Sequence, residues 1–227
     1  MMKERRHSVA DSSLSGIDVS SSQGLVNWAA IPNQNLSFAF LRATLGAHTA
    51  DQQFAHNWAR IGSAGLLRGA YHFFWPLSAA PDQADNLIGV VGSLVPGDLP
   101  PALDLEEAYL KKDPQLDVWT TIAPENRLPR ILAWLTRVED ALGARPIIYS
   151  RQNFLETLLG PSLQHLAAYP LWIAHYTEAN EPDFPSNWPQ WTFWQYTDKG
   201  SVEGIKGYVD QDRFNGSLDD LKALGKS

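Results

Sequence analysis

The chain of 227 residues contains no cysteine, so neither a disulfide framework nor a thiolate metal site is available to it. Basic residues are also few. The 18 Lys and Arg residues against 25 Asp and Glu residues give a net charge of −7, which argues against a nucleic-acid partner. No apolar run approaches the roughly 18 residues of a membrane-spanning helix, so we expect no stable membrane insertion. Residues 1–15 also lack the apolar core of a secretory signal, and their polar character predicts a flexible N-terminal leader.

Apolar residues make up 44% of the chain, which is enough for one large core. We therefore expect a single domain over residues 16–227 that acts as a monomer. Nine tryptophans and an aromatic content of 11% exceed what a core alone requires. Because aromatic faces beyond the core often form binding surface, this surplus suggests a ligand with apolar faces.

Short apolar segments alternate with longer segments of helical spacing, a pattern typical of a parallel α/β sheet. The eight predicted strands are 16–19, 38–43, 69–74, 102–105, 146–150, 171–175, 192–196 and 208–210. Each of the first five is followed by a predicted helix: 26–31, 51–64, 81–94, 125–142 and 152–159. The final stretch, 217–224, is compatible with a short closing helix. We expect an α/β fold, a modified TIM-like barrel with eight strands and five helices in which the last three strands are not followed by helices.

Asp104 and Glu106 stand one residue apart at the end of the apolar run 99–106. Residues two apart in a strand point to the same side, so both carboxyls project together while Leu103 and Leu105 face the opposite way. Like charges at short range make it costly to ionise both groups, so we expect one pKa to rise and the other to fall. That division suits a hydrolase, which needs one protonated acid and one carboxylate near neutral pH. Taken alone, the pair is more typical of a strand that ends in solvent, because Asp and Glu are mostly surface residues.

Two further acids fall at the ends of predicted strands. Asp18 ends the first strand and Asp210 the last, and these two strands are neighbours in a closed barrel. Barrel enzymes take their catalytic groups from the C-terminal ends of the strands, so the four acids predict one site at the barrel mouth. Three alternatives stay open: a turn capped by Asp18, a turn made by Asp210 with Asp212, and a site for a hard cation. No spacing resembles a metal-binding loop or an H-E-x-x-H motif, so we expect no metal.

Aromatic residues accompany the same strand ends. Trp75, Tyr149, Tyr176 and Trp194 are the best candidates for rings that line a groove. Flat aromatic surface beside carboxylates suits a sugar polymer, because sugar rings present apolar C–H faces. The histidines on predicted strands, His72 and His175, are expected to be hydrogen-bonded barrel residues rather than ligands.

Several short segments keep a characteristic order and spacing over residues 16–216. They include Gly16-Ile17-Asp18-Val19-Ser20, Phe40-Leu41-Arg42-Ala43-Thr44, Gly69-Ala70-Tyr71-His72-Phe73, Asp104-Leu105-Glu106, Ile148-Tyr149-Ser150, Leu171-Trp172-Ile173-Ala174, Trp194-Gln195-Tyr196 and Val209-Asp210. Together they resemble glycoside hydrolase family 25, the lysozymes that act as N-acetylmuramidases. No single segment is specific, but their order over nearly the whole chain is.

The resemblance implies a division of labour among the acids. Glu106 would be the general acid, and Asp104 would orient the substrate's own 2-acetamido group for attack on the anomeric carbon. Such a substrate-assisted route retains configuration and departs from the ordinary two-carboxylate scheme. Asp18 and Asp210 would line the same pocket. The resemblance further implies peptidoglycan glycan strands as the partner, no cofactor, and substrate contacts from Tyr71, Trp75, Tyr149, Tyr176, Trp194 and Gln195.

The same residues also bear on three other functions. A chitinase-like hydrolase would carry D-x-D-x-E on this strand, but Ala102 stands at its first position. A catalytically silent glycan-binding protein would be expected to lack Glu106 or Asp104, and both are present. An N-acetylglucosaminidase would cut the other glycosidic bond of the same polymer. We expect action on the cell wall, whether the protein is secreted, periplasmic or released by a phage.

Overall fold

The computed structural model describes residues 13–32 and 35–225. Its strands, in chain order, are β1 (Leu14–Val19), β2 (Phe38–Leu45), β3 (Thr49–Ala50), β4 (Leu67–Phe73), β5 (Ala102–Asp104), β6 (Tyr109–Leu110), β7 (Asp113–Asp117), β8 (Ile147–Ser150), β9 (Leu171–Ala174), β10 (Phe193–Gly200) and β11 (Val209–Phe214). Its α-helices are α1 (Phe54–Arg60), α2 (Ala80–Val91), α3 (Pro124–Leu142), α4 (Gln152–Leu159) and α5 (Leu218–Leu224). The predicted α/β barrel of eight strands and five helices is confirmed.

The barrel follows the order β1-β2-β4-β5-β8-β9-β10-β11 and closes by pairing β11 with β1. Seven of these strands run parallel, whereas β11 is antiparallel to both of its neighbours. We had expected a parallel eighth strand that ends at Asp210, and this was wrong. Only residues 201–208 separate β10 from β11, and a parallel return needs a crossover of about a dozen residues or more. The chain therefore turns back directly, and Asp210 lies near the start of its strand.

One helix prediction also differs from the structure. Segment 26–31 forms only a short 3₁₀ turn at Trp28–Ala30. Pro32 follows it directly, and because proline has no backbone N–H it cannot donate the hydrogen bond to Trp28 that would continue the segment as an α-helix. The fifth helix is instead α5, which confirms the short closing helix expected at 217–224. The last barrel strand is therefore followed by a helix, unlike the two strands before it. Ser217 caps α5 by accepting a hydrogen bond from the Asp220 N–H at 3.2 Å.

Aromatic side chains fill the barrel interior beneath the mouth. Phe40 stacks on Trp172 with ring centroids 4.5 Å apart and meets Phe193 edge-on at 5.2 Å. Glycines on the strands flanking β2 make room for these rings: a Cβ added at Gly69 would lie 2.3 Å from the Phe40 ring. A second apolar layer, between the outer barrel face and the helices, includes Leu103 and Leu105. The aromatic interior forms the floor on which the polar residues of the mouth lie.

Strand β1 begins at Leu14, two residues inside the segment predicted as a leader. The remainder of that predicted leader, residues 1–12, lies outside the described residues. None of the helices in the described ranges is long and apolar enough to cross a membrane.

Candidate active site

The four acids predicted at the barrel mouth line one pocket of about 200 Å³. Asp18 comes from β1, Asp104 from the end of β5, and Glu106 follows two residues later. Because β11 runs antiparallel to its neighbours, the start of β11 lies beside the C-terminal ends of the other strands. Asp210, near the start of β11, therefore enters the same pocket. In the register, Asp18 and Asp210 are directly opposite each other. Residues 192 positions apart in the sequence thus become neighbours, as the closed barrel requires.

The backbone around Asp104 and Glu106 is held by hydrogen bonds from several elements. The Leu105 carbonyl accepts the Ser150 hydroxyl at 2.6 Å, and the Glu106 carbonyl accepts the Trp119 indole N–H at 3.0 Å. Leu105 itself is fully buried on the helix side of the strand. This alternation fixes both acidic side chains on the opposite side, where they enter the pocket.

Burial raises the pKa of both Asp104 and Glu106, so the expectation that one of the two would fall was wrong. For Asp104, the neighbouring Glu106 carboxylate adds to the effect of burial, while the Arg42 guanidinium opposes it. For Glu106, Arg151 opposes the effect of burial and Glu107 adds to it. Repulsion within the pair predicts that the two pKa values separate, but removing both carboxylates from water raises both. Near neutral pH the pair therefore retains a proton more readily than two exposed acids would.

Asp104 has a further distinctive feature. Its Oδ1 is buried and has no hydrogen-bond partner among the described residues. A buried acceptor without a donor is costly, and a substrate N–H placed there would satisfy it.

Asp18 on β1 and Asp210 and Asp212 on β11 form a second group of carboxyls. Burial raises the pKa of Asp18, and the charges of Asp212 and Asp210 raise it further. Burial, followed by the charge of Asp198, raises the pKa of Asp210 to about 6. Asp212 was considered at the sequence level only as a turn partner of Asp210, yet it is fully buried in the barrel. The same i, i+2 alternation that singled out Asp104 and Glu106 could have identified it.

Gln195 connects the acids to two tyrosines. Its amide nitrogen donates a hydrogen bond to Asp18 Oδ2 at 2.7 Å. Its carbonyl oxygen accepts the hydroxyls of Tyr149 at 2.9 Å and Tyr176 at 2.8 Å. These bonds fix the amide so that its N–H faces Asp18. Tyr71 also lines the pocket, so four of the six residues predicted to contact substrate are brought together there.

The other two, Trp75 and Trp194, are not among the residues that line the pocket. Trp194 alternates with Gln195 on β10 and therefore faces outward, where it is 1% exposed. Its indole N–H donates to the His175 carbonyl at 2.8 Å. Trp75 packs partly buried against the outer apolar layer. The tryptophan that lines the pocket is Trp172, which is absent from the predicted set although strand alternation places it inside the barrel.

The two strand histidines do not enter the pocket. His72 lies between Thr44, at 2.7 Å, and Gln83, at 3.1 Å, and burial lowers its pKa to about 4. His175 Nδ1 accepts the Asp183 backbone N–H at 2.9 Å. Within residues 13–32 and 35–225, no group of three or more His, Asp or Glu residues is placed to hold a metal ion.

An α/β barrel with a carboxyl-lined pocket at its strand ends has the architecture in which barrel enzymes place their catalytic groups. The family model for glycosyl hydrolases family 25 matches residues 17–205, and the chain belongs to this family. It is 36% identical to the uncharacterised protein YegX of Escherichia coli O157:H7, covering 96% of this chain and 75% of that protein. It is 34% identical to lysozyme M1 of Streptomyces globisporus, covering 99% of this chain and 76% of that one. The crystal structure of a bacterial lysozyme from Streptomyces coelicolor superposes with a TM-score of 0.86 at 35% identity, covering 95% and 98% of the two chains.

Proposed function

We propose that this chain is a lysozyme that hydrolyses the β-1,4 bond between N-acetylmuramic acid and N-acetylglucosamine in peptidoglycan. The observation that carries the proposal is the placement of Asp104 and Glu106 in one pocket, with burial raising the pKa of Glu106. A carboxyl that keeps its proton near neutral pH can protonate the glycosidic oxygen of the leaving group. The similarity to lysozyme M1 and to the N,O-diacetylmuramidase of Chalaropsis, at 28% identity, supports the choice of bond.

In this proposal Glu106 is the general acid and Asp104 orients the acetamido group of the substrate. The unpartnered Oδ1 of Asp104 is suited to accept the acetamido N–H, which directs the acetamido oxygen toward the anomeric carbon. A substrate N–H bonded to Asp104 and the positive charge that develops on the oxazolinium intermediate both favour the ionised form of this buried acid, against the rise of its pKa by burial. The Asp104 carboxylate in turn stabilises that charge. Glu106, now deprotonated, then activates the water that opens this intermediate, and configuration is retained.

The remaining pocket residues bind and orient the sugar. Tyr71 and Trp172 offer ring surface, and the Tyr149 and Tyr176 hydroxyls can exchange their bond to Gln195 for sugar hydroxyls. Asp18 and Asp210 provide further acceptors at the pocket wall. The proposal needs no cofactor. It places the action of the protein, as a monomer, on the cell wall, whether it arrives by secretion, from the periplasm or after phage release.

The role of Glu106 can be tested beside its neighbour Glu107. Glu106→Gln should lose at least about 10²-fold in turnover of purified peptidoglycan, measured as release of reducing ends. Glu107 instead pairs with Arg151 and does not line the pocket. Because a partly exposed ion pair contributes at most about 1 kcal/mol, Glu107→Gln should stay within about fivefold of the parent. A folded Glu106→Gln protein with near-parental turnover would reject the assignment, and a parent that binds glycan without releasing reducing ends would indicate a silent binding protein.

Retention of configuration at the anomeric carbon can be measured separately from turnover. Proton NMR at early reaction times should show the β-anomer of the new reducing end before mutarotation mixes the anomers. Initial release of the α-anomer would contradict the substrate-assisted route.

A further inference from the structure

Asp212 is a buried acid for which the proposed reaction provides no direct task. It lies on β11, is 0% exposed, and its Oδ1 accepts the indole N–H of Trp172 at 2.8 Å. Its Oδ2 is buried and receives no hydrogen bond from any N–H or hydroxyl donor among the described residues. The groups that act on it are Trp172 and the two carboxyls Asp18 and Asp210, with no cation among them. An ionised carboxylate in this environment would be desolvated and unpaired, which proteins avoid.

The carboxyl that faces Asp212 is Asp18. In the register, Asp212 lies opposite Gly16 on one side and Gln195 on the other. Because Gly16 has no side chain, the Asp212 carboxyl has space to approach Asp18, two residues further along the same strand, and the two acids are close enough to shift each other's pKa. A hydrogen bond between two carboxyls requires a proton on one of them. That proton would satisfy the free Oδ2 and remove the repulsion between two buried charges.

The surroundings favour the proton on Asp212 and the charge on Asp18. Gln195 donates to Asp18 Oδ2 at 2.7 Å, and this amide is held in place by the Tyr149 and Tyr176 hydroxyls. Such donation stabilises the charged form of the acceptor. Asp212 is deeper and receives only one indole N–H. Asp210 also faces Asp18 from the same strand as Asp212, and the charges of Asp210 and of Asp104 on β5 raise the pKa of Asp18.

We propose that Asp212 is a positioning residue that holds a proton and donates it in a hydrogen bond to Asp18, so that Asp18 presents a fixed, singly charged carboxylate to the substrate. This proposal rests on the proposed function for its effect on turnover, but the location of the proton can be tested without turnover. As pH rises and the proton is lost, two charges face each other beneath the pocket and Asp18 loses its orientation. The Asp18–Asp212 pair therefore contributes a titration to the alkaline side of the activity profile.

The test compares Asp212→Asn with Asp212→Leu. Asparagine has the same shape and always presents N–H groups, so it can donate to Asp18, whereas leucine cannot donate at all. The asparagine variant should keep kcat within about threefold of the parent, and the leucine variant should lose about 10-fold or more through misplacement of Asp18. The alkaline limb of the pH–activity profile should be less steep for the asparagine variant than for the parent, because one titrating group is gone. A merely structural role would not change this slope.

A readout independent of activity is the infrared absorption of neutral carboxylic acids in the free protein at pH 7. Substituting Asp212 by asparagine should remove one neutral-acid carbonyl band that the Glu106→Gln variant retains. If that band is unchanged in Asp212→Asn, or if asparagine costs as much kcat as leucine, the proposal is overturned. If the leucine variant does not fold, carboxyl ¹³C NMR titration of the parent and the asparagine variant decides the same question. The two proposals can fail separately. If the band is lost in Asp212→Asn but the parent releases no reducing ends from peptidoglycan, the proposed function is rejected and the assignment of the proton to Asp212 stands.

Discussion

The close packing of the Phe40 ring over Gly69 leads to a prediction that alanine destabilises the protein at this glycine and stabilises it at another. A methyl group at Gly69 would lie 2.3 and 2.4 Å from two carbons of the Phe40 ring, where ordinary contact is 3.4–4 Å. The ring would therefore have to withdraw by about 1 Å, but Trp172 and Phe193 are packed against it. Overpacking of this kind costs about 1–3 kcal/mol, and the fully buried ring favours the upper half of that range. For a chain of this length the midpoint of thermal unfolding should fall by about 4–12 °C.

Gly89 provides the matched control. It is exposed in α2, and a Cβ added there would meet nothing within 4 Å. Gly89→Ala should therefore stabilise the protein by about 0.5–1 kcal/mol, because alanine has the better helix propensity. Calorimetric unfolding of both variants at the same pH measures whether each midpoint falls or rises relative to the parent. Combining Gly69→Ala with Phe40→Leu should cost less than the sum of the two single changes, because the smaller side chain relieves the clash. A Gly69→Ala midpoint at or above that of the parent would refute the packing argument.

Two predictions concern charge. Arg42→Gln should move the pH–activity profile upward by about half a unit to one unit, because burial raises the pKa of Asp104 and Glu106 and the Arg42 guanidinium opposes that rise. Arg68→Gln breaks the similarly buried Arg68–Asp98 ion pair and should leave the pH–activity profile unchanged. Equal shifts of the profile in the two variants would reject the explanation. Thermal stability should also depend on Asp210. Its pKa rises from 3.8 to about 6 on folding, so its stabilising contribution is complete below pH ~4 and is lost as the pH rises through about 6. Calorimetry across this window should show a falling midpoint that flattens in Asp210→Asn, and an equal slope in both proteins would contradict the assignment.

Strand alternation and strand counting carry most of what could be predicted from the sequence. The same rule that paired Asp104 with Glu106 also places Gln195 inside the barrel and Trp194 outside it. Applying it to every strand would have exchanged Trp194 for Trp172. The error was one of incomplete application, because the information was present in the residue pattern.

Other features depend on long-range structure that no local pattern reports. The reversal of β11 follows from the shortness of its connection, and the shared rise in carboxyl pKa follows from burial by the closed barrel. The proximity of Asp212 to Asp18 depends on the register between β1 and β11 and on the absence of a side chain at Gly16. The rise in carboxyl pKa and the proximity of Asp212 to Asp18 require the assembled barrel, and the second joins residues from opposite ends of the chain.

Mass spectrometry of the soluble fragments released from purified peptidoglycan tests the central proposal most directly. If Glu106 protonates the bond that follows N-acetylmuramic acid, every new fragment should carry muramic acid at its reducing end. Fragments that end in N-acetylglucosamine would contradict the account and identify a glucosaminidase on the same barrel.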